Sequence, residues 1–238
     1  MRVAVMSDIH GFSLALETVL ADIDGQGPFD EVVVAGDLCE VGPAPAEVLD
    51  LLRARECSVL QGNTDFDIAV AARHGEAEGE VAYAIEQIGP SGVDYLARLP
   101  FSRRITPPGG RSSDDELLVV HANPHNLTDK LDPELSDDEL RDFIGDTRAA
   151  AIAFGHIHIC YVRELDGTLL VDVSAVGNPK DGDLRCKYGI LTWDEESRAW
   201  HAELRKLDYP LEATAAQILA SPLPDPEKVL RKLIKASY

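Results

Sequence analysis

The sequence predicts an α/β fold: a parallel, helix-covered sheet in the first half of the chain, with a second, more antiparallel sheet packed on it. Three observations point there. Up to Leu99, short runs of Val, Ile, Leu and Ala alternate with segments of helical period, the pattern of βαβ units. Beyond Phe154, short strand-like runs follow one another with hairpin-like turns such as Asp166-Gly167. Most apolar runs stop at a small polar block, the usual place for a functional group on a rigid scaffold.

Arg2 to Met6 and Glu31 to Val34 read as buried strands flanking a helix over Ser13 to Ile23, where Leu16, Val19, Leu20 and Ile23 form one stripe. Pro45 to Arg55 continues as a helix with Val48, Leu49, Leu51 and Leu52 inward, and Cys57 to Leu60 is a third strand. The pattern is helical between Asp65 and Leu99, and Pro107-Pro108-Gly109-Gly110 marks a surface loop. Leu117 to Val120 is a short strand. Ser136 with Glu139 makes a capping box for a helix through Ile144. Ala149 to Phe154, Ile159 to Glu164, Thr168 to Val173, Tyr188 to Trp193 and Ala199 to Leu207 complete the strands.

The 238 residues, 45% of them hydrophobic, suit one large α/β domain, and no composition shift divides them. With 22 Lys and Arg against 42 Asp and Glu, the net charge is −20. Such a surface repels nucleic-acid backbones and anionic membranes, which argues against extended duplex binding and against a nuclease. Cys39, Cys57, Cys160 and Cys186 are scattered without a C-x-x-C pair and are expected to be reduced and mostly core. No apolar run approaches the roughly 18 residues of a membrane span, and the segment before Asp8 is too short for a signal sequence. A cytoplasmic location is the expectation. Homo-oligomers are compatible with the sequence.

The chemistry sits in five blocks: Asp8-Ile9-His10, Gly36-Asp37, Gly62-Asn63, His121 and Gly155-His156-Ile157-His158. Singly, His121 would be an ordinary polar residue at a strand end and Asp8 a helix cap. In this order, most at the end of an apolar run, they read as the ligands of a two-metal site. Carboxylates, an amide oxygen and imidazoles suit Mn²⁺, Fe²⁺, Zn²⁺ or Co²⁺ better than thiolate-loving ions, and Mg²⁺ less well. Two such ions about 3.5–4 Å apart could share a hydroxide and neutralise an in-line displacement at phosphorus, which makes phosphate-ester hydrolysis the natural reaction. Gly36 and Gly155 are expected to allow close backbone approach. His74 and His201 read as surface residues.

Asp8-x-His10, Gly36-Asp37, Gly62-Asn63-x-Asp65, His121 and Gly155-His156-x-His158 together resemble the calcineurin-like metallophosphoesterase superfamily, in particular its small bacterial and archaeal phosphodiesterase branch. Gly42-Pro43-x-Pro45-x-Glu47-Val48, the stretch Ser174 to Asp183 and the tail from Tyr209 are similar to segments of that branch, so the resemblance spans nearly the whole chain. It implies a four-layer α-β-β-α sandwich of two mixed β-sheets flanked by helices, in one domain over 1–238 with 209–238 as a C-terminal helical tail. It also implies that Asp8, His10, Asp37 and His158 hold one metal, and Asp37, Asn63, His121 and His156 the other. Asp37 is then the bridge, and Asp37, Asn63 and His121 form the catalytic set. Two divalent transition ions are expected, Mn²⁺ first, with Fe, Zn, Co or Ni as alternatives. His125, Asn126, Arg185 and Lys180 are candidate contacts to a small phosphorylated substrate.

One departure from the family matters. Many relatives carry a histidine after Gly-Asn, placed to protonate the leaving group, whereas this chain has Thr64. The resemblance therefore implies a phosphodiesterase acting on small or nucleotide-like substrates, through a metal-activated hydroxide, that favours good leaving groups. A protein serine/threonine phosphatase would carry Asp-Arg-Gly after the second block, where Leu38-Cys39-Glu40-Val41-Gly42 stands instead. A dinucleoside polyphosphate phosphatase and a non-catalytic scaffold of the same fold are the remaining alternatives, and no ligand is missing to favour the scaffold. Asp65 is left as either an outer-shell orienter or a helix cap.

Overall fold

β1 (Arg2–Met6) shows how two layers are built from one strand. Val3 and Val5 face a core shared by two sheets, whereas Ala4 and Met6 face helices, the period-two alternation of a strand buried on both sides. Residues 1–237 are described by a computed structural model. After β1 come α1 (Ser13–Gly25), β2 (Glu31–Val34), α2 (Pro45–Arg53), β3 (Ser58–Val59), α3 (Asn63–His74), α4 (Gly79–Leu96), β4 (Ser102–Ile105) and β5 (Leu117–Val120). The second half runs α5 (Asp137–Ile144), β6 (Ala151–Phe154), β7 (Tyr161–Leu165), β8 (Thr168–Asp172), β9 (Cys186–Asp194), β10 (Ala199–Leu207), α6 (Leu211–Ala220) and α7 (Pro226–Lys235).

Two mixed five-stranded sheets result, ordered β10-β9-β1-β2-β3 and β4-β5-β6-β8-β7. The inner faces meet through Val3, Val33, Leu117, Val119, Val171 and the pair Trp193–Trp200, whose ring centroids lie 5.6 Å apart. Side chains of α1, α2, α4, α6 and α7 pack on the outer face of the first sheet. On the second sheet α5 contributes Leu140 and Ile144, which meet Ile152 and Phe154. This is the expected α-β-β-α layering. No described helix is long and apolar enough to cross a membrane.

Two readings need correction. The final hairpin does not join the second sheet: β9 pairs antiparallel with β1, Val3 opposite Leu191, and β10 follows it at the edge of the first. Alternation reports that a strand has two faces but not which sheet it enters. The second sheet keeps a parallel centre, β5-β6-β8, with antiparallel strands at both edges. β4 was not expected, because Ser102, Arg103 and Arg104 are exposed and polar. It is an edge strand held by Arg103 to Glu31 at 2.8 Å and Arg104 to Glu116 at 3.0 Å, the charged decoration that keeps an edge from pairing further. The stretch from Asp65 to Leu99 is helical as expected, interrupted at Gly75, whose φ of 70° ends α3 in a left-handed cap, and again inside α4, which is kinked at Gly89 before Pro90.

Candidate metal centre

The five blocks converge because they follow neighbouring strand ends in both sheets. Asp8 and His10 follow β1, Asp37 follows β2 and Asn63 opens α3; His121 follows β5, and His156 and His158 follow β6. Backbone bonds lace them together: Asp8 N–H donates to Gly36 O at 3.0 Å, His10 N–H to Asp37 O at 2.9 Å and Gly155 N–H to His121 O at 2.9 Å. Asp8, His10, Asp37, His156 and His158 all have φ between 52° and 69°. Asp and His enter that left-handed region more readily than most residues, yet it still costs on the order of 1–3 kcal/mol per residue and is retained where a site requires it. Gly155 leaves no room for a side chain, since a Cβ there would lie 2.3 Å from Asp8 Oδ2 and Ser7 Oγ. At Gly36, with φ of 96°, a Cβ would meet Gly62 N at 2.4 Å. Both glycines permit the close approach expected of them.

The second nitrogen of each imidazole fixes which one faces inward. Nδ1 of His10, His121 and His158 lies 3.1, 2.8 and 2.7 Å from the carbonyls of Glu40, Ala35 and Asn178. A carbonyl only accepts, so Nδ1 carries the proton and Nε2 offers a lone pair. His156 is reversed: its Nε2 donates to Thr128 O at 3.0 Å, which leaves the lone pair on Nδ1. The consequence is a crowd of electron pairs. His10 Nε2 and His158 Nε2 are 3.2 Å apart, and His121 Nε2 is 2.9 Å from Asn63 Oδ1. Asp8 Oδ1 is 3.1 Å from His158 Nε2, is buried, and has no hydrogen-bond partner. Asp37 turns Oδ2 toward His10 at 3.6 Å and Oδ1 toward His121 at 3.5 Å.

Such an arrangement needs cations. Burial opposes charge on His10, yet the carboxylates of Asp8 and Asp37 outweigh it and raise the imidazole to about 9. Burial would raise Asp8, but His158 and His10 hold it well below the carboxylate range. For His156, burial and then the charge of His121 lower the pKa. The donor set fits divalent metal: Asp8, His10 and His158 form one group, and Asp8, Asp37 and His121 another, with all ligand atoms of a group within 4.8 Å of one another. Asn63 joins through its contact with His121, and the His156 ring lies 5.1 Å from that of His121. Because metal must displace the His10 proton, affinity is expected to rise by about tenfold per pH unit as pH approaches about 9. Metal titrations across that range, with a matching proton release, check this.

Asp65 both orients and caps. Its carboxylate accepts from Asp37 N at 2.8 Å and Leu38 N at 2.9 Å, and from Gly62 N at 2.9 Å at the start of α3. Burial and then the charge of Asp37 push its pKa up to about 7, against these backbone donors. Asp65→Asn turns an acceptor into a donor facing an N–H, so metal affinity is expected to fall by about 10–100-fold, read by competition with a chelating dye.

The substrate candidates stand elsewhere. His125 is exposed, and its Nε2 donates to Ile144 O at 2.9 Å at the end of α5. Arg185 is exposed and paired with Asp183 at 2.7 Å. Neither joins the seven donors. Asn126 Oδ1 accepts from Thr128 N and Asp129 N, so it builds the loop whose Thr128 carbonyl holds His156. Lys180 is nearer, with its N–H donating to His158 O at 3.1 Å. Sequence reasoning missed the carbonyls of Ala35, Glu40, Thr128 and Asn178, since a backbone acceptor leaves no trace in residue type. The buried Asn123, whose Oδ1 accepts from His125 N and Asn126 N, could have been suspected from the Asn-x-x-Asn spacing after His121.

The chain is similar to several known proteins. The chain is 25% identical over 244 residues to an uncharacterised protein of Methanocaldococcus jannaschii, covering 94% of each. It is 32% identical over 134 residues to a symmetrical bis(5′-nucleosyl)-tetraphosphatase of Paracidovorax citrulli, covering 51% of this chain and 44% of that one. A metallophosphoesterase structure from Sphaerobacter thermophilus superposes with a TM-score of 0.77 at 23% identity, covering 99% of this chain and 100% of the other. The calcineurin-like phosphoesterase superfamily domain itself matches residues 1–196, a span that includes all seven donors. The chain therefore belongs to the calcineurin-like phosphoesterase superfamily, a family of metal-dependent hydrolases acting on phosphate esters.

Proposed function

We propose that the protein hydrolyses phosphodiester bonds of small or nucleotide-like substrates at a two-metal centre. The observation that carries this reading is the inward convergence of seven donors whose protonated imidazole nitrogens are all pinned on backbone carbonyls. Asp8, His10, Asp37 and His158 would hold one ion, and Asp37, Asn63, His121 and His156 the other, with Asp37 as the bridge and Mn²⁺ the first candidate. Two divalent ions there would activate water and neutralise charge developing on the phosphoryl group. The chain's own part is to orient: Thr64 N–H and the left-handed turn at Asp37 fix the carboxylate, with Thr64 N 2.9 Å from Asp37 Oδ1. The protein, reconstituted with metal, should bind about two ions and turn over an aryl phosphodiester. Activity that survives a chelator, or a fully loaded protein that turns over no phosphodiester, overturns the reading.

Thr64 narrows the substrate. Its hydroxyl is buried without a partner and is too weak an acid to replace an imidazolium at the leaving oxygen. Rate should therefore depend steeply on leaving-group acidity. Thr64→Ala is expected to cost less than about tenfold in kcat/KM, whereas loss of a true general acid costs at least about 10²-fold. A series of phosphodiesters differing in leaving-group pKa, for both enzymes, provides the measurement. Dinucleoside polyphosphates are the second reading. Their anhydride leaving groups suit a site without a strong acid, and the partial identity to the Paracidovorax citrulli tetraphosphatase favours them.

A further inference from the structure

Residues 173–185 connect β8 to β9 without a helix or strand of their own, and they form a strap along one side of the metal centre. Val176 N–H donates to Ser7 O and Gly177 N–H to Asp8 O, each at 2.9 Å. Asn178 O accepts the Nδ1 proton of His158 at 2.7 Å, and Lys180 N–H returns a bond to His158 O at 3.1 Å. The fit is close enough that a Cβ on Gly177 would lie 2.4 Å from Ile9 O. Asp8 and His158 are both proposed ligands of the first ion. The imidazoles proposed for the second ion are held elsewhere, His121 by Ala35 O and His156 by Thr128 O.

One side chain fastens this strap. Lys187, in β9, is a lysine only 1% exposed, and its Nζ donates to Asp181 Oδ1 at 3.0 Å, Asp183 O at 2.7 Å and Arg185 O at 3.0 Å. All three donors of the ammonium are thereby used. The acceptors alternate along the strap, so the chain wraps the charge, and Lys187 N–H also donates to Ala175 O at 3.0 Å. One residue therefore closes the strap at both ends. The other oxygen of Asp181 accepts from Cys160 Sγ at 3.6 Å, two residues beyond His158. A buried ammonium is tolerated only when its partners are held in place, which makes its own geometry exacting.

We propose that Lys187 is a positioning residue for His158 and, through it, for the first metal ion. This rests on the two-metal reading. Without the ammonium, the carboxylate of Asp181 and the carbonyls of Asp183 and Arg185 lose their common partner, and the adjoining Asn178 and Lys180 no longer present a fixed acceptor and donor to His158. The sign of the effect separates position from charge. An ammonium repels cations, so by charge alone its removal would tighten metal binding; loss of position loosens it.

Mn²⁺ titrations of the full chain test this. Lys187→Met should weaken one of the two ions by about tenfold or more and leave the other within about twofold. In His158→Ala, where the positioned ligand is already gone, adding Lys187→Met should cost less than about twofold further. Equal weakening of both ions, tighter binding, or the full loss persisting in His158→Ala overturns the proposal. Should Lys187→Met fail to fold, Lys187→Gln keeps amide donors for part of the network and should weaken the same ion several-fold; an unchanged affinity overturns the proposal. If wild type binds fewer than two ions, the two-metal reading fails by itself, and nuclear magnetic resonance of the metal-free protein labelled with ¹⁵N-histidine decides the role of Lys187. Exchange of the His158 Nδ1 proton with water should then be more than about tenfold faster in the variant, with that of His121 unchanged. Equal exchange at His158 in both proteins overturns the proposal.

Discussion

Asp37→Asn is expected to keep the fold yet lose metal and nearly all hydrolysis. The carboxylate turns one oxygen to His10 and the other to His121, which fits its proposed role as the shared group, and the amide supplies neither the charge nor two equivalent acceptors. Removing a partner that merely orients a ligand already costs about 10–100-fold, and loss of the shared charge should exceed that, leaving kcat/KM down by more than about 10³-fold. Melting and circular dichroism report whether the fold persists, since Asp37 lies outside the apolar clusters. Elemental analysis of the purified variant reports the metal. A variant that holds two ions and turns over like wild type would remove Asp37 from the centre.

Gly155→Ala should be a severely damaging single-methyl change. The added Cβ would lie 2.3 Å from Asp8 Oδ2 and Ser7 Oγ, and both belong to the rigid segment after β1. Moving Asp8 also breaks the bond it accepts from His156 N–H at 2.8 Å. Overpacking of this kind costs about 1–3 kcal/mol, which for a domain of this size lowers Tm by several degrees, roughly 2–4 °C per kcal/mol. Activity should fall further than stability, by about 10²-fold, because the displaced carboxylate is a proposed ligand. A thermal melt and a metal titration on the same sample separate the two effects. An unchanged melting temperature with unchanged metal affinity would mean that the strand ends yield more easily than their backbone bonds suggest.

Much of this was legible in the residues, for definable reasons. Donor identity is written in side-chain type, and strand ends are written in the switch from apolar run to polar block, so all seven donors could be named and are found together. Direction is not written there. His125 has a suitable type and stands four residues after His121, yet its ring turns to the end of α5, into space left open by Gly145 at a φ of 56°. Arg185 likewise meets the nearer Asp183. Sheet membership was hidden for a related reason. The β9–β10 hairpin satisfies its own hydrogen bonds in either sheet, and only the antiparallel match of Val3 with Leu191 places it beside β1. β4 carries polar residues because it is an edge, and such strands have no apolar period to read.

His10 and His158 meet although 148 residues separate them in the chain, and the second strand-end histidine comes from a different sheet. Loop closure over such a distance gains nothing until both sheets have formed and docked. The centre is thus among the last features that a folding chain can complete, and no contiguous short stretch contains it. Metal capture becomes a signal of finished assembly: a chain paused before residue 158 lacks one proposed ligand of the first ion, and a fragment of either half completes neither proposed ligand set. Hydrolysis that needs both proposed ions therefore waits for the chain through His158.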